Sequence, residues 1–196
     1  IGKPAPGWKI ELHDDDGNPV GVGEEGRIAI RTRDPSPVGL FMEYLDDPEA
    51  TAKVFVGDWY YTGDKAIMDE DGYFWFQGRD DDIIKSSGYR ISPAEVESAL
   101  MTHPCVKESA VVGSPDPIRG VIVKAFICLK DGWTGSDDLI RELQNHVKTT
   151  TAPYKYPRAI EFVEELPKTI SGKVRRVELR DREIQRYKEQ NEHQDE

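Results

Sequence analysis

The chain has 196 residues, with 37 acidic and 26 basic side chains and a formal net charge of −11. That length holds one ordinary domain or two small ones, and the acidic balance argues against a general nucleic-acid binder, which needs a basic face to displace counterions. No run of about twenty apolar residues marks a membrane span, and nothing has the pattern of a signal peptide.

The chain opens on Ile1-Gly2-Lys3-Pro4-Ala5-Pro6-Gly7-Trp8, a turn-rich connection rather than a start, and is expected to be a piece of something longer. Residues 9–13 alternate, Asp14 to Asn18 form a turn, and Arg27-Ile28-Ala29-Ile30-Arg31 alternates at period two, the signature of a half-buried strand. Between them, Gly21-Val22-Gly23-Glu24-Glu25-Gly26 spells a dinucleotide fingerprint, but it opens a strand instead of a helix, and Glu24 and Glu25 would repel phosphate. It is expected to be a hairpin turn. Asp46-Asp47-Pro48-Glu49 starts a short helix running to about residue 55. Residues 60–64 and 72–78 then make strands around the turn Asp69-Glu70-Asp71-Gly72. This first part reads as a β-rich subdomain with one helix.

From about residue 80 the character changes. Ser92, Pro93 and Glu95 form a helix start with a capping box, and the helix is expected to end near Thr102, where His103 and Pro104 stop it. His103 is also a weak candidate for a charged group near a ligand. Apolar strands follow near 109–112 and over 121–129. Residues 136–148 are amphipathic, with Leu139, Ile140, Leu143 and Val147 at helical spacing. Residues 159–163 form a strand, 177–190 a charged helix, and 190–196 a frayed end. The second part reads as a compact α+β domain of helices against a small sheet. Cys105 and Cys128 have no metal-ligand spacing, no metal site is expected in these residues, and Cys128 sits in an apolar strand. Two such cysteines fit a reduced, intracellular protein.

Three motifs carry chemistry. Residues 78–97, from Gly78-Arg79-Asp80-Asp81-Asp82 through Lys85-Ser86-Ser87-Gly88-Tyr89-Arg90 to the helix start, pack three cations and three consecutive carboxylates around Ile83-Ile84. Tyr61-Thr62-Gly63-Asp64 lies fifteen residues upstream of Arg79. Pro167-Lys168-Thr169-Ile170-Ser171-Gly172-Lys173 lies near the end; it fails as a phosphate loop because position 167 is proline and Val174 replaces the required Ser or Thr. Either short motif alone is weak. All three in this order closely resemble the adenylate-forming enzymes: acyl-CoA synthetases, peptide-synthetase adenylation domains and beetle luciferases. Residues 114–120 (Ser-Pro-Asp-Pro-Ile-Arg-Gly) and 152–158 (Ala-Pro-Tyr-Lys-Tyr-Pro-Arg) resemble the medium-chain acyl-CoA synthetase branch, and the resemblance covers essentially the whole chain.

That resemblance implies the last third of an AMP-forming acid–thiol ligase of fatty acid metabolism. Residues 1–79 would be the distal β-subdomain of an incomplete adenylation domain and 80–196 the mobile C-terminal α+β domain, with the missing N-terminal adenylation domain as intramolecular partner. ATP, CoA and a short- or medium-chain carboxylic acid would be substrates, with Mg2+ held mainly by the missing part. The resemblance implies ribose recognition by Asp64, nucleotide contacts from Arg79 and Arg90, and a catalytic role for Lys173 beside the α-phosphate. It implies a hinge at Asp81, and a CoA face made by Ser87, Gly88 and Tyr89 with Arg119 and Lys148. Arg79 has the ordinary alternative of a salt bridge with Asp80 to Asp82, and Lys85 can serve either half-reaction or pair with those aspartates. A stretch with neither triphosphate loop nor acyl pocket is expected to be inactive alone. A cytoplasmic location is expected, or the mitochondrial matrix in a eukaryote. Two alternatives remain open: a stand-alone CoA- or nucleotide-binding regulatory module, and an adenylating enzyme that loads a carrier protein.

Overall fold

The computed structural model of the protein describes residues 1–33 and 36–192. The chain divides into two compact units, Ile1–Asp81 and Asp82–Glu196, so the structural boundary falls two residues after the one expected from the sequence. Of the expected frayed end, residues 190–192 are still helical and 193–196 lie outside the described residues. No helix among the described residues is long and apolar enough to cross a membrane.

The first unit is one antiparallel sheet of β1 (Ile10–His13), β2 (Glu25–Arg31), β3 (Phe55–Val56), β4 (Trp59–Met68) and β5 (Phe74–Arg79), with α1 (Pro48–Val54) leading into β3. The long β4 is the spine. It pairs with β2 along one edge and with β3 and then β5 along the other. Asp47 caps α1 by accepting the Ala50 N–H at 2.9 Å, the usual service of a short acidic side chain at that position. Asp69 organises the β4–β5 turn, accepting from the backbone of Asp71 and Tyr73 and from the Trp75 indole at 2.7 Å. The core is small: Leu12, Ile28, Ala66 and Phe74. The expected alternation in β2 is incomplete, because Ala29 is fully buried. Its cross-strand neighbours are Glu11 and Tyr61, whose long side chains flank it on the face that would otherwise be open.

The second unit is built on a three-stranded sheet, β8 (Val106–Asp116), β9 (Gly120–Leu129) and β10 (Ala159–Phe162), with β9 central. Ahead of it stand a hairpin, β6 (Ile84–Ser86) and β7 (Tyr89–Ile91), and helix α2 (Pro93–Met101); α3 (Asp137–Thr150) and α4 (Arg176–Glu192) complete it. The apolar run of β9 splits by pleat. Val123, Ala125 and Ile127 meet Val96, Leu100, Leu143 and Val147 of α2 and α3 in one cluster, while Phe126 and Cys128 meet Leu166 and the α4 residue Leu179 in another. A strand covered on both faces reads as continuously apolar instead of alternating. Both free cysteines are buried, and burial pushes their thiols above the ordinary cysteine value.

The helix start at residue 92 is not a complete capping box. Ser92 holds the N-cap backbone position, but its hydroxyl makes no cap hydrogen bond, and the Glu95 carboxylate takes the Lys155 ammonium at 2.6 and 2.7 Å instead. A charge-assisted bond outcompetes a neutral one to the backbone. By contrast Ser136 does cap α3, accepting the Leu139 N–H at 3.2 Å.

On α4, Glu183 is buried and accepts from Ser114 at 2.8 Å and from Lys124 at 2.8 Å; Lys124 and Arg186 also hold Glu161, at 2.9 and 2.6 Å. The Arg186 hydrogen bond, aided by Lys124, lowers the Glu161 carboxyl from 4.5 to about 2. A lowered carboxylate stabilises the fold above its unfolded value of 4.5 and loses that contribution as the pH falls toward 2. Urea melts of the chain between pH 5 and pH 2 should show this decline, and Glu161→Gln should flatten it; an unchanged slope in the variant would remove Glu161 as its source.

Candidate functional site

In the first unit Asp64 and Arg79 are direct cross-strand partners on β4 and β5. Residues opposite one another in an antiparallel pair point to the same face, so the fold brings them together from fifteen residues apart. Arg79 Nη1 donates to Asp64 Oδ1 at 3.2 Å, while Nε and Nη2 donate to Asp81 at 2.9 and 3.4 Å. The guanidinium fork is thus shared between two carboxylates, and the salt bridge considered for Arg79 forms with Asp81. All three side chains are a third or more exposed.

Gly63 makes this pair possible. Its φ is +80°, and a Cβ there would lie 2.8 Å from Arg79 Nη2. Thr62 accepts the Asp64 N–H at 3.1 Å, and Gly63 accepts the Asp80 N–H at 2.8 Å. The Tyr-Thr-Gly-Asp motif is therefore the cradle of the guanidinium. Sequence reading missed Lys65 beside it. This lysine is buried, with Asp80 at 3.2 Å, Glu25 at 3.7 Å and Asp15 at 4.0 Å. A lysine between Asp64 and the apolar run Ala66-Ile67-Met68 of a strand was the available signal, because lysines are almost never buried unless paired.

In the second unit the hairpin β6–β7 turns at Ser87 and Gly88, both at positive φ, +50° and +84°. Two consecutive positive values define the tight hairpin turn that suits twisted strands. Three contacts hold it. Ser86 donates to the Val121 carbonyl at 2.7 Å, Arg119 donates to the Ser87 hydroxyl at 3.3 Å, and the Tyr89 ring stacks on Tyr154 with centroids 4.2 Å apart. A Cβ on Gly88 would meet nothing within 4 Å, so the turn's tip faces open space. Ser87, Gly88, Tyr89 and Arg119 are thus together, and Arg90 lies on the same hairpin as the cross-strand partner of Lys85. Lys148 packs on an aromatic ring: its ammonium sits 4.1 Å from the Tyr156 ring centroid. Tyr154 is the contact that spacing did not reveal.

Lys173 sits on a closed loop. A bridge between Lys168 and Val174 forms its neck. Within it the Thr169 N–H donates to the Lys173 carbonyl at 2.8 Å, the Gly172 N–H to the Thr169 carbonyl at 2.9 Å, and the Lys173 N–H to Thr169 Oγ1 at 3.1 Å. Gly172 has φ +83°. Thr169 therefore organises a closed turn over residues 170–172, with Lys173 at its base beside the neck. His103 is structural in its contacts: it is buried, with Cys105 Sγ at 3.0 Å and Glu142 at 3.1 Å on its two nitrogens. Among the described residues no group of three or more His, Cys, Asp or Glu side chains stands ready to hold a metal ion.

Residues 95–173 match the family described as AMP-binding enzyme C-terminal domain. The chain is 57% identical over 185 residues to the mitochondrial acyl-coenzyme A synthetase ACSM3 of Rattus norvegicus and 58% identical to the mitochondrial ACSM5 of Homo sapiens. In both cases 93% of this chain is covered but only 32% of the relative, so the chain spans about a third of their length. Among solved structures it resembles the anthranilate CoA ligase AuaEII in complex with anthranoyl-AMP, with a TM-score of 0.79 and 44% identity over 92% of this chain and 34% of that one.

The cradle makes a prediction independent of activity. Gly63→Ala and Gly88→Ala each force an L-residue to positive φ, a cost of about 1–2 kcal/mol. Only the first also evicts a guanidinium, so in urea melts of the chain Gly63→Ala should destabilise its own unit beyond that cost, and Gly88→Ala should not. Equal losses would mean that Arg79 moves aside freely.

Proposed function

We propose that this chain, a member of the adenylate-forming enzymes that carries their C-terminal AMP-binding domain, acts as the C-terminal part of an AMP-forming medium-chain acyl-CoA ligase. The observation that carries the reading is the Asp64–Arg79 pair in one unit together with two separate cationic features, the Lys173 loop and the Arg119-braced hairpin, in the other. Joining a carboxylic acid to a thiol in water runs uphill. The acid is therefore activated first: a carboxylate oxygen attacks the α-phosphorus of ATP, a phosphoanhydride bond breaks, and pyrophosphate leaves. The CoA sulfur then attacks the acyl carbonyl, and AMP leaves with the electron pair of the broken bond.

Each residue has a task in that sequence. Asp64 accepts the ribose hydroxyls, and Arg79, already oriented by Asp64 and Asp81, supplies donors to ribose or phosphate. Lys173 brings a positive charge to the oxygens where negative charge builds during in-line attack, an interaction stronger in the transition state than before it. Arg90 contacts nucleotide or acyl substrate. In the second half-reaction Ser87, Gly88 and Tyr89 line the path of the thiol, with Arg119 and Lys148 at the phosphates of CoA. Arg119 favours CoA over a carrier protein, whose phosphopantetheine arm has no adenosine phosphates to grip. One domain serves both steps by turning about Asp81. ATP and CoA are the nucleotide substrates, Mg2+ is held mainly by the adenylation domain outside this chain, and that domain is the chain's working partner. The relatives' mitochondrial names support the matrix as the location, while nothing supports the cytoplasm.

The test separates the half-reactions in the full-length ligase. Lys173→Ala should lower acid-dependent pyrophosphate exchange by about a hundred- to a thousandfold and spare thioester formation from supplied acyl-adenylate. Gly88→Leu should do the reverse, because a side chain would enter the thiol's path. Asp81→Pro, which fixes φ near −65°, should also keep adenylation and lose thioesterification. Equal loss of both steps in Lys173→Ala, with neither lost in Asp81→Pro, would refute the alternation. The 196-residue chain alone should form no acyl-CoA from ATP, Mg2+, butyrate and CoA.

A further inference from the structure

The loop of Lys173 is joined to the rest of its unit at two sides. On one, Leu166 is buried in the α4-side core, and Lys168 reaches Glu108 at 2.7 Å. On the other, the Arg175 N–H donates to the Pro167 carbonyl at 2.8 Å, and the next residue, Arg176, begins α4. Arg176 is held by a fork. Its Nη2 donates to Glu97 Oε2 at 2.6 Å and its Nε to Glu97 Oε1 at 2.9 Å, while Nη1 reaches Asp82 Oδ2 at 3.4 Å. Glu97 Oε1 in turn accepts the Val111 N–H of β8 at 2.8 Å. The side chains of Asp82 and Glu97 are only 12% and 13% exposed.

A partly buried cluster of this kind is poor value as a stabiliser, since apolar residues of similar size stabilise as well or better. What the fork supplies is register. Two parallel hydrogen bonds fix both the distance and the direction of a guanidinium, which an apolar contact leaves free to slide. The groups it joins have a further relation: Asp82 is the first residue of the second unit, next to the proposed hinge residue Asp81, and Arg176 lies three residues beyond Lys173.

We infer that Arg176 is a positioning residue for adenylation: through Glu97 and Asp82 it holds the Lys173 loop in fixed register with the hinge end of its domain. A rotation beginning at Asp81 is then delivered to the lysine without slack. Arg176 acts through Lys173 and touches no substrate. This inference rests on the ligase reading, and its test begins with the wild-type full-length enzyme, whose failure to exchange pyrophosphate with any carboxylic acid would sink that reading before the inference is reached.

In an active enzyme, Arg176→Lys keeps the charge and removes the fork. A displacement of about 1 Å at a reacting group can cost about a hundredfold in rate, so the variant should slow pyrophosphate exchange by about tenfold or more through kcat. The KM for ATP and thioester formation from supplied acyl-adenylate should stay within about twofold. A merely structural role would depress both half-reactions together, and that result, or no loss in either, would overturn the inference. Glu97→Gln, which keeps an acceptor for the Val111 N–H, provides the same test should Arg176→Lys fail to fold. Amide exchange on the 196-residue chain gives a readout free of activity. Protection at Thr169, Gly172 and Lys173 should fall in Arg176→Lys while protection in β9 is kept; unchanged loop protection would also count against the inference.

Discussion

Three adjacent carboxylates must find separate partners, and the molecule is arranged around how they do. At about 6 Å and an effective dielectric of about 20, each like-charge neighbour costs about 3 kcal/mol unless cations offset it. In a chain with eleven more acids than bases, those cations have to be directed to the right place. Lys65 holds Asp80, Arg79 holds Asp81, and Arg176 with Arg180 holds Asp82. The first two pairs lie within one unit and the third within the other. The backbone is thus anchored on each side of the bond between Asp81 and Asp82, where the proposed hinge lies: a change in ψ of Asp81 or φ of Asp82 would leave these pairs intact.

The same allocation shapes the pair proposed to face the nucleotide. Arg79 divides its fork between Asp64 and Asp81, so the guanidinium is already oriented by the residues around it before any proposed ligand arrives. Preorganisation of this kind shifts part of the cost of ordering from binding to folding. The positive φ of Gly63 is one part of that cost, and the burial of Lys65 beneath Asp80 is another.

Much of this was legible in the sequence where local physics decides. The turn at Asp14, the cap at Asp47, the amphipathic α3 and the turn at Asp69 each follow from residues within a few positions, and the structure has them all. The hidden features depend on partners far along the chain. Glu95 reads as half of a capping box until Lys155, sixty residues away, claims it. Asp80, Asp81 and Asp82 read as one acidic block, and nothing local tells that they look to Lys65, Arg79 and Arg176. Tyr154 beneath Tyr89 is invisible for the same reason. In the candidate site, motif order pointed to Asp64, Arg79 and the stretch Ser87-Gly88-Tyr89. The shared fork, the Thr169-organised loop and the engagement of Lys148 with Tyr156 needed coordinates.

The loop also bears on how Lys173, in its proposed role, would serve one half-reaction and leave for the other. One route is for the loop itself to flex. That would break the bonds from Thr169 to Lys173, from Gly172 to Thr169, from Lys173 to Thr169 and from Arg175 to Pro167. At about 1 kcal/mol net apiece the open form would be populated about a thousandfold less than the closed one. The other route carries the loop intact while the domain turns about one or two backbone torsions, so none of those bonds is lost. Glycine at 172 therefore serves the loop's shape, through its positive φ, more than its motion. On the proposed mechanism the mobility lies between Asp81 and Asp82, with ion pairs inside each unit on either side of that bond.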